Sequence, residues 1–461
     1  MKSIGLDIGT TTICGIVMEV ENGNVLDTRT IANHSTIQTK ENYAKCQDVT
    51  CIMDICRQIV NDMLEKYEDI AVIGVSGQMH GILYIDESGN ALSPLYSWQD
   101  ERGNQRYNER QTYSEYISDM TGYEMATGYG LTTHFYNDKN ENIPKDTSYI
   151  CTIGDYVAMH LAEKTRPLLH KSMAASLGLF NLKEGHWDMM AIERLGMNAE
   201  QLPPISQKED TYGENAKGIQ VSIALGDNQA SFLGAIGAKS NVLINVGTGS
   251  QISIFTNEYD ESVEVEYRPF IDGSYLMVGA VLCGGASYAM LKTFYTKVLQ
   301  LFGCDVPFDF YEIMNRAASS AYGQEDKLDI DTCFNGTRSN SEQRGSIQNI
   351  SDKNFTPEAL TIAMLRGMCD ALYGIIKKVP VHRKESSVII GSGNGIRQNP
   401  VLQQVVEDTF EKTLQIPIFS EEAACGAALH ALYCSGIIKD FEKIRTLVRT
   451  ESVKNENLSK K

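Results

Sequence analysis

The sequence predicts an α/β protein built from two similar lobes, each a mixed β-sheet flanked by helices, around a central cleft. Three observations lead there. The chain has 461 residues, which at roughly 100 to 200 residues per domain requires two or three domains. Its apolar pattern moves between short strand-like runs and longer stretches with helical spacing, the mixture from which layered α/β folds are made. One motif also occurs twice: Leu6-Asp7-Ile8-Gly9-Thr10 returns half a chain later as Ile244-Asn245-Val246-Gly247-Thr248. Each copy is an apolar strand that breaks at Gly-Thr and resumes as a second strand, so the repeat marks two lobes.

The opening reads as three strands, residues 3–8, 12–20 and 25–32, with Glu21-Asn22-Gly23-Asn24 as a hairpin turn. Residues 42–67 form an amphipathic helix, because Val49, Ile52, Met53, Cys56, Ile59, Val60, Met63 and Leu64 fall three and four apart. A β-branched run at 70–75 is a buried strand that ends in Ser76-Gly77-Gln78-Met79-His80-Gly81. Another strand, 221–225, stops just before Asp227 and a small-residue helix at 230–237. The second lobe offers strands around Val263, at 274–282 and at 387–390. Its helices are expected at 286–301, 357–377, 399–411 and 421–434. Residues 303–355 read as a polar, irregular elaboration, and the Lys- and Asn-rich last dozen as a frayed tail. The boundary between the lobes is set at residues 239 and 240.

Hydrophobic residues are 42% and charged residues 22% of the chain, a globular balance that excludes wholesale disorder. Forty-one basic against 59 acidic residues give a net charge of −18. That charge repels nucleic-acid phosphates and anionic lipid, and argues against both as partners while allowing a local phosphate site. The 11 cysteines are odd in number and contain no CxxC pair, so a disulfide framework is not expected and a reducing cytoplasm fits. Cys46, Cys51 and Cys56 recur every five residues, on different faces of a helix, and are expected to pack and not to bind metal. Asp7 interrupts any signal-peptide core, and no apolar stretch approaches about 18 residues, so neither a secretion signal nor a membrane span is expected.

A tight Gly-Thr hairpin presents backbone N–H groups and hydroxyls to one point, as phosphate cradles do. A single copy reads more readily as a plain turn; the duplication reverses that and favours two cradles clamping a polyphosphate. Only the first carries a charge, Asp7, where the second has Asn245, an asymmetry suited to one Mg2+ between carboxylate and phosphate. Strand 387–390 runs into Gly391-Ser392-Gly393-Asn394-Gly395, whose alternate glycines do not make a dinucleotide fingerprint but do allow close backbone approach to a ligand. Asp227, at a strand end, is either a helix N-cap or a catalytic carboxylate. Gln78, Met79 and His80, with Trp98, Asp100 and Arg102, suit a polyhydroxylated ligand: an aromatic face packs on sugar C–H groups while the polar groups bind hydroxyls.

Taken in order, Gly5-Leu6-Asp7-Ile8-Gly9-Thr10-Thr11-Thr12, the Ser76 to Gly81 segment, Gly226-Asp227-Asn228 and Asn245-Val246-Gly247-Thr248-Gly249 resemble the FGGY carbohydrate kinases. These are members of the actin-like ATPase superfamily with two ribonuclease-H-like lobes. Within that family, Trp98-Gln99-Asp100 with Arg102, Ala126-Thr127-Gly128-Tyr129-Gly130, and Tyr267-Arg268-Pro269-Phe270 with Gly273 and Tyr275 are most similar to the sedoheptulokinases. The resemblance implies ATP and Mg2+ as cofactors, a small-molecule ketose such as sedoheptulose as substrate, and a homodimer. It implies that Asp227 is the catalytic base, with Asp7 and Asp227 near the metal. Gln78, Met79, His80, Trp98, Asp100, Arg102 and Asn228 would line the sugar site. Gly9, Thr10, Thr11 and Thr12 would form the first phosphate loop, and Gly247, Thr248 and Gly249 the second. Gly391, Ser392, Gly393, Asn394, Gly395 and Asn399 would border adenosine. The sugar site and first phosphate loop then belong to residues 1–239, the second loop and adenosine site to 240–461. Cys14 stands where many members have a basic residue. A xylulokinase or other pentulose kinase, a sugar-binding pseudokinase and an actin-like ATPase switch remain as alternatives at the level of sequence.

Overall fold

Nearly continuous burial along the first two strands and alternation along the third set the sheet of the N-terminal region. In the computed structural model, which describes residues 1–238, 240–306, 309–336, 342–380 and 386–453, Lys2–Ile8, Thr12–Glu19 and Val25–Ala32 form the expected antiparallel meander. Ile70–Gly77 joins Lys2–Ile8 in parallel, so Asp7 sits between Cys14 and Ser76. Gln220–Ser222 and Leu225–Gly226 pair in parallel with Ile70–Gly77, and Thr211–Glu214 closes the edge. Ile8 therefore lies beside Gly77, and Gly77 beside Gly226. Three parallel strands end together, where open α/β sheets bind ligands.

Helices cover both faces of this sheet. Val49–Lys66 starts later than the spacing suggests, because Asp48 Oδ1 accepts from the N–H groups of Thr50 (2.8 Å) and Cys51 (3.2 Å) and caps it there. It buries Ile52, Cys56, Ile59 and Met63 against Leu6, Ile8 and Ile13. Residues alternate faces along a strand, so the other face presents Gly5 and Asp7. That face receives helix Glu422–Cys434. A Cβ at Gly5 would come within 1.9 Å of Ala424 O, and one at Gly74 within 1.9 Å of Ala427 O. Only glycine lets the helix backbone lie on these strands.

The chain divides into two compact units: Met1–Gly234 with Arg268–Tyr275 and Glu421–Val448, and Ala235–Tyr267 with Leu276–Ser420 and Arg449–Lys461. The junction thus falls after Gly234 and not at residue 239, and two further segments, 268–275 and 421–448, depart from a single boundary. The larger, 421–448, returns to the first unit because its helix packs on the glycine-bearing strands. A second apolar cluster of the first unit, around Ile82, Tyr84, Leu131, Phe135 and Leu177, supports the helical segments between residues 113 and 201.

The second unit repeats the first locally. Val242–Val246 is antiparallel to Ser250–Thr256 and parallel to Val388–Ser392, as Lys2–Ile8 is to its neighbours. Thr413–Pro417 and Thr450–Ser452 extend the sheet on one side, Tyr275–Val281 and Glu266–Pro269 on the other. The strand expected around Val263 therefore lies a few residues later. The first residues of the expected tail are a strand, with Pro417 paired to Thr450, while 454–461 lie outside the described residues. The segment expected to be irregular contains helix Phe310–Ser320 and the hairpin Asp329–Asp331 with Ser346–Gln348. Helix Pro357–Ile376 is, contrary to the sequence reading, long and apolar enough to cross a membrane, but 61% of its apolar window is buried inside the protein. It packs against Phe310–Ser320 and Pro400–Phe410 as a core helix.

Replacing Gly74 by Ala forces a methyl group against helix backbone that cannot rotate away. We expect Gly74→Ala to lower unfolding free energy by about 1 to 3 kcal/mol, measured as a lower denaturant midpoint at unchanged m value.

Candidate active site

In the first unit, the aligned strand ends bring Asp7 and Asp227 together. Ser76 Oγ donates to Asp7 Oδ1 at 2.8 Å. Burial pushes the Asp7 carboxyl up to about 7, with the negative charges of Asp227 and Glu421 adding to the rise and the Ser76 bond opposing it. Asp227 opens helix Asp227–Ala235 and accepts from the Asn228 N–H at 2.7 Å. Its carboxyl is raised by burial to about 6, against the lowering effects of that N–H and of Arg268. Facing carboxylates that resist simultaneous ionisation are suited to a hard divalent cation with oxygen ligands, so Asp7 and Asp227 fit a Mg2+ site. Asp227 is thus at once the first residue of its helix and a carboxylate poised near neutrality.

The first Gly-Thr loop is braced by a residue that sequence reading passed over. Asn33 Nδ2 donates to Gly9 O at 2.9 Å and Asn33 N–H donates to Thr11 O at 2.8 Å, while Gly9 N–H closes the turn on Thr12 O. The side chains of Thr11 and Thr12 remain exposed. Cys14 is buried, and its thiol is pushed up to about 12, chiefly by burial. It therefore stays a neutral thiol beside Asp7.

The sugar-site candidates form a connected set. Trp98 is 47% exposed, and its Nε1–H donates to Thr10 Oγ1 at 3.0 Å. Gln47, also missed in the sequence, donates from Nε2 to Thr10 O and accepts from Gln78 Nε2 at 2.8 Å. Gln78, Trp98 and the first Gly-Thr loop are thereby joined. His80 has φ +74, a strained conformation for a residue with a side chain. Its Nδ1 lies 2.7 Å from Ser176 O, which can only accept, so Nδ1 carries a proton and donates to it. The ring stacks on Tyr129 at 4.8 Å. Met79 packs so close to Gly226 that a Cβ there would meet its sulfur at 2.9 Å. Asn228 Oδ1 is buried without a protein donor, the acceptor that a ligand hydroxyl would satisfy.

Asp100 and Arg102 are placed differently from these. Both are buried. Arg102 Nε and Nη2 donate to the two Asp100 oxygens at 2.6 and 3.1 Å, Lys45 N–H donates to Oδ2 at 3.0 Å, and Arg102 Nη1 donates to Asn137 Oδ1 at 2.6 Å. The guanidinium also lies 4.2 Å over the Tyr96 ring. The pair is turned inward and fixes the loop that carries Trp98.

In the second unit, the other Gly-Thr loop is stitched to a helix N-terminus: Gly285 N–H donates to Gly247 O and Ala286 N–H to Thr248 O, both at 2.9 Å. Gly249 O accepts from Gly247 N–H at 2.9 Å. Asn245 Nδ2 donates to Ser392 Oγ at 2.8 Å, joining the two glycine-rich segments. Gly393 has φ +81, and a Cβ there would stand 2.6 Å from Val246 O. Around these loops is a cavity of about 900 Å³ lined by Gly247, Thr248, Asn394, Gly395 and Asn399. Gly391 and Ser392 are buried in the strand behind it. Tyr288, Tyr311 and Asn315 also line the cavity. They come from helices that carry no motif, so only the fold reveals them. Tyr288 and Tyr311 stack at 5.9 Å, and Tyr288 O–H donates to Asn315 Oδ1 at 2.8 Å. Asn399 Oδ1 caps helix Pro400–Phe410 through Leu402 N–H. An apolar and aromatic cavity of this size with a few fixed polar groups is of the kind that takes a nucleoside.

Comparison with known proteins agrees with this geometry. Residues 3–234 match the N-terminal domain, and residues 242–435 the C-terminal domain, of the FGGY family of carbohydrate kinases. A sedoheptulokinase of Mus musculus is 29% identical, over 93% of this chain and 96% of its own length. A xylulose kinase of Staphylococcus xylosus is 24% identical, over 93% of this chain and 90% of its own. The crystal structure of a gluconate kinase from Lactobacillus acidophilus superposes with a TM-score of 0.82 at 20% identity, covering 98% of this chain and 92% of that one.

The raised Asp7 carboxyl ties stability to pH. The folded protein holds this proton more tightly than the unfolded chain does, so the contribution is complete below pH about 4 and is lost as pH rises through about 7. Without metal or nucleotide, Asp7→Asn keeps the acceptor for Ser76 and should stabilise the protein at pH 8. The gain should be on the order of 1 kcal/mol after allowance for the solvent that still reaches this group, and no gain is expected at pH 4. Melting temperatures of both proteins across that range check it.

Proposed function

The chain belongs to the FGGY family of carbohydrate kinases, and on that premise we propose that it transfers the γ-phosphoryl group of ATP to the terminal primary hydroxyl of a ketose, namely sedoheptulose, giving the 7-phosphate. The observation that carries this reading is Asp227: a carboxylate at a strand end, raised to about 6 by burial, next to the unpaired acceptor of Asn228. A base of that strength can take up a proton near neutral pH.

In the proposed reaction, Asn228 and the Nε2 of His80 accept hydrogen bonds from sugar hydroxyls, and the face of Trp98 packs against the carbon chain. Asp227 orients the terminal hydroxyl and receives its proton as the new oxygen–phosphorus bond forms and the bond to ADP breaks. The transition state is loose, with charge spread over the equatorial oxygens, so positioning and electrostatics supply most of the acceleration. Mg2+ held by Asp7 and Asp227 would neutralise charge between the carboxylates and the phosphates. The cavity at Gly247, Thr248 and Asn399 would hold the nucleotide, and the exposed hydroxyls and backbone of the Thr10 to Thr12 loop would meet phosphate oxygens. Asp100 and Arg102 act by holding the Trp98 loop.

Sedoheptulose is preferred because the mouse relative that carries its name matches nearly the full length. Xylulose is the second reading, supported by the Staphylococcus xylosus relative. Sugar-dependent ADP release with Mg-ATP, over sedoheptulose, D-xylulose, L-ribulose, gluconate, glycerol and no sugar, is expected to be fastest with sedoheptulose. A preference for xylulose would keep the mechanism and change the substrate. ATP hydrolysis indifferent to every sugar would overturn both.

Asp227→Ala should lose about 100- to 10,000-fold in turnover while still binding the sugar in calorimetry. Turnover at the unaltered rate in that variant would remove Asp227 from the role of base.

A further inference from the structure

Apart from the carboxylates at the strand ends, the first unit contains a buried group of metal-ligand side chains that the reaction does not use. His170, Glu209 and His430 converge so that their ligand atoms all lie within 4.8 Å of one another. His170 precedes helix Lys171–Ser176, Glu209 precedes strand Thr211–Glu214, and His430 is on helix Glu422–Cys434. One turn beyond His430, Cys434 brings its sulfur to 3.2 Å from His430 Nε2. Both histidines are buried. Their rings meet nearly perpendicular, with centroids 5.5 Å apart.

We propose that His170, Glu209 and His430, with the Cys434 sulfur turning in from its place beside His430, form a structural site for one divalent metal ion of the zinc class. Two imidazoles, a carboxylate and a thiolate are donors that Zn2+ takes in tetrahedral coordination, at about 2.0 to 2.2 Å to nitrogen and oxygen and about 2.3 Å to sulfur. The edges of such a tetrahedron are roughly 3.3 to 3.6 Å from those bond lengths. His170 Nε2 lies 3.3 Å from Glu209 Oε1, and His430 Nε2 lies 3.2 Å from Cys434 Sγ. The His430 Nε2 to Glu209 Oε2 approach, 2.7 Å, is hydrogen-bond length and would open slightly.

Charge points the same way. Among the described residues the ion-pair partners of Glu209 are the two histidines, and it also accepts from Asp272 N–H at 2.9 Å. A buried carboxylate is costly unless positive charge balances it. A divalent cation with one carboxylate, one thiolate and two neutral imidazoles sums to zero. The outer contact is also present: His170 Nδ1 lies 2.7 Å from Ser172 Oγ, and a ligating histidine characteristically donates from its other nitrogen to such a partner. In the metal-free chain the same Nδ1 accepts from Ser172 N–H at 3.0 Å, the competing tautomer, in which Nε2–H donates to Glu209. Metal binding selects between the two.

The consequence is mechanical. Ser172 Oγ accepts from Gly226 N–H at 3.1 Å, one residue before Asp227, and helix Glu422–Cys434 begins beside Glu421, whose charge acts on Asp7. One ion would fasten three distant stretches of chain to the segments that carry both site carboxylates.

The test uses the full chain without a histidine tag. Plasma mass spectrometry of the purified protein should find about one zinc ion per chain, and the Cys434→Ser and Glu209→Gln variants should lose it. Chelation should lower the melting temperature, and added zinc should restore it. Cobalt(II) added to the chelated, unaltered chain should give the visible bands of a tetrahedral site with a thiolate charge-transfer band. Because this readout is on the unaltered protein, a variant that fails to fold does not decide the matter. Substoichiometric metal, no cobalt spectrum and no thermal response to zinc would overturn the proposal and leave a hydrogen-bonded His-Glu-His network. Zinc retained at full stoichiometry in both variants would overturn it as well. None of these readouts depends on kinase activity, so the result stands apart from the assignment of the reaction.

Discussion

The first unit depends on the backbone contact between helix Glu422–Cys434 and the strands Lys2–Ile8 and Ile70–Gly77. Residues about 350 to 420 positions apart in the chain meet there, with room for glycine and for nothing larger at Gly5 and Gly74. The same close approach recurs at Gly234 and Gly426, which bring the helix that begins at Asp227 against the same C-terminal helix. Because the helix can lie so low on the sheet, Glu421 at its start stands near Asp7 and Cys14. The electrostatic character of the site follows from that packing: carboxylates are drawn together in a region of limited solvent, where burial and then the charges of Asp227 and Glu421 raise the cost of ionising Asp7.

Parallel register does the remaining alignment. A strand pair out of step by one residue would turn Asp7 to the opposite face of the sheet, away from the helix that bears Glu421. Hydrogen-bonded neighbours hold the loops that leave these strand ends. Asn33 spans the first Gly-Thr turn, and Gln47 bridges that turn to Gln78. The buried Asp100–Arg102 pair has its charges satisfied within the protein, so its energetic weight is in the geometry of the Trp98 loop more than in the pairing itself. In the second unit, glycines again set the distances: Gly285, Gly393 and Gly395 crowd onto the residues flanking the Gly-Thr turn, and the cavity opens beside them.

Much of this was legible in the chain. The internal repeat announces two units of similar local topology, and both copies are a strand, a Gly-Thr turn and an antiparallel return. Asp7, Asp227, Gln78, Met79, His80 and Trp98 were legible because strand ends and tight turns carry local signals: glycine where the backbone must bend, and polar side chains just after apolar runs. Gln47, Asn33, Tyr288 and Asn315 had no such signal. Each is an ordinary polar or aromatic residue in an ordinary segment, and becomes part of a site only because a partner far along the chain is brought to it.

By itself, therefore, the sequence determined the fold class, the family and the two carboxylates at the strand ends, since these are written in short-range periodicity, turn chemistry and motif order. Tertiary structure alone decided which unit the C-terminal helix joins, which polar residues face inward as braces and which face a ligand. It also decided that His170, Glu209 and His430 share one point, with Cys434 beside His430. The physical reason is separation: these choices rest on contacts between residues tens to hundreds of positions apart, through close packing and shared burial, and no local pattern encodes a partner at that distance.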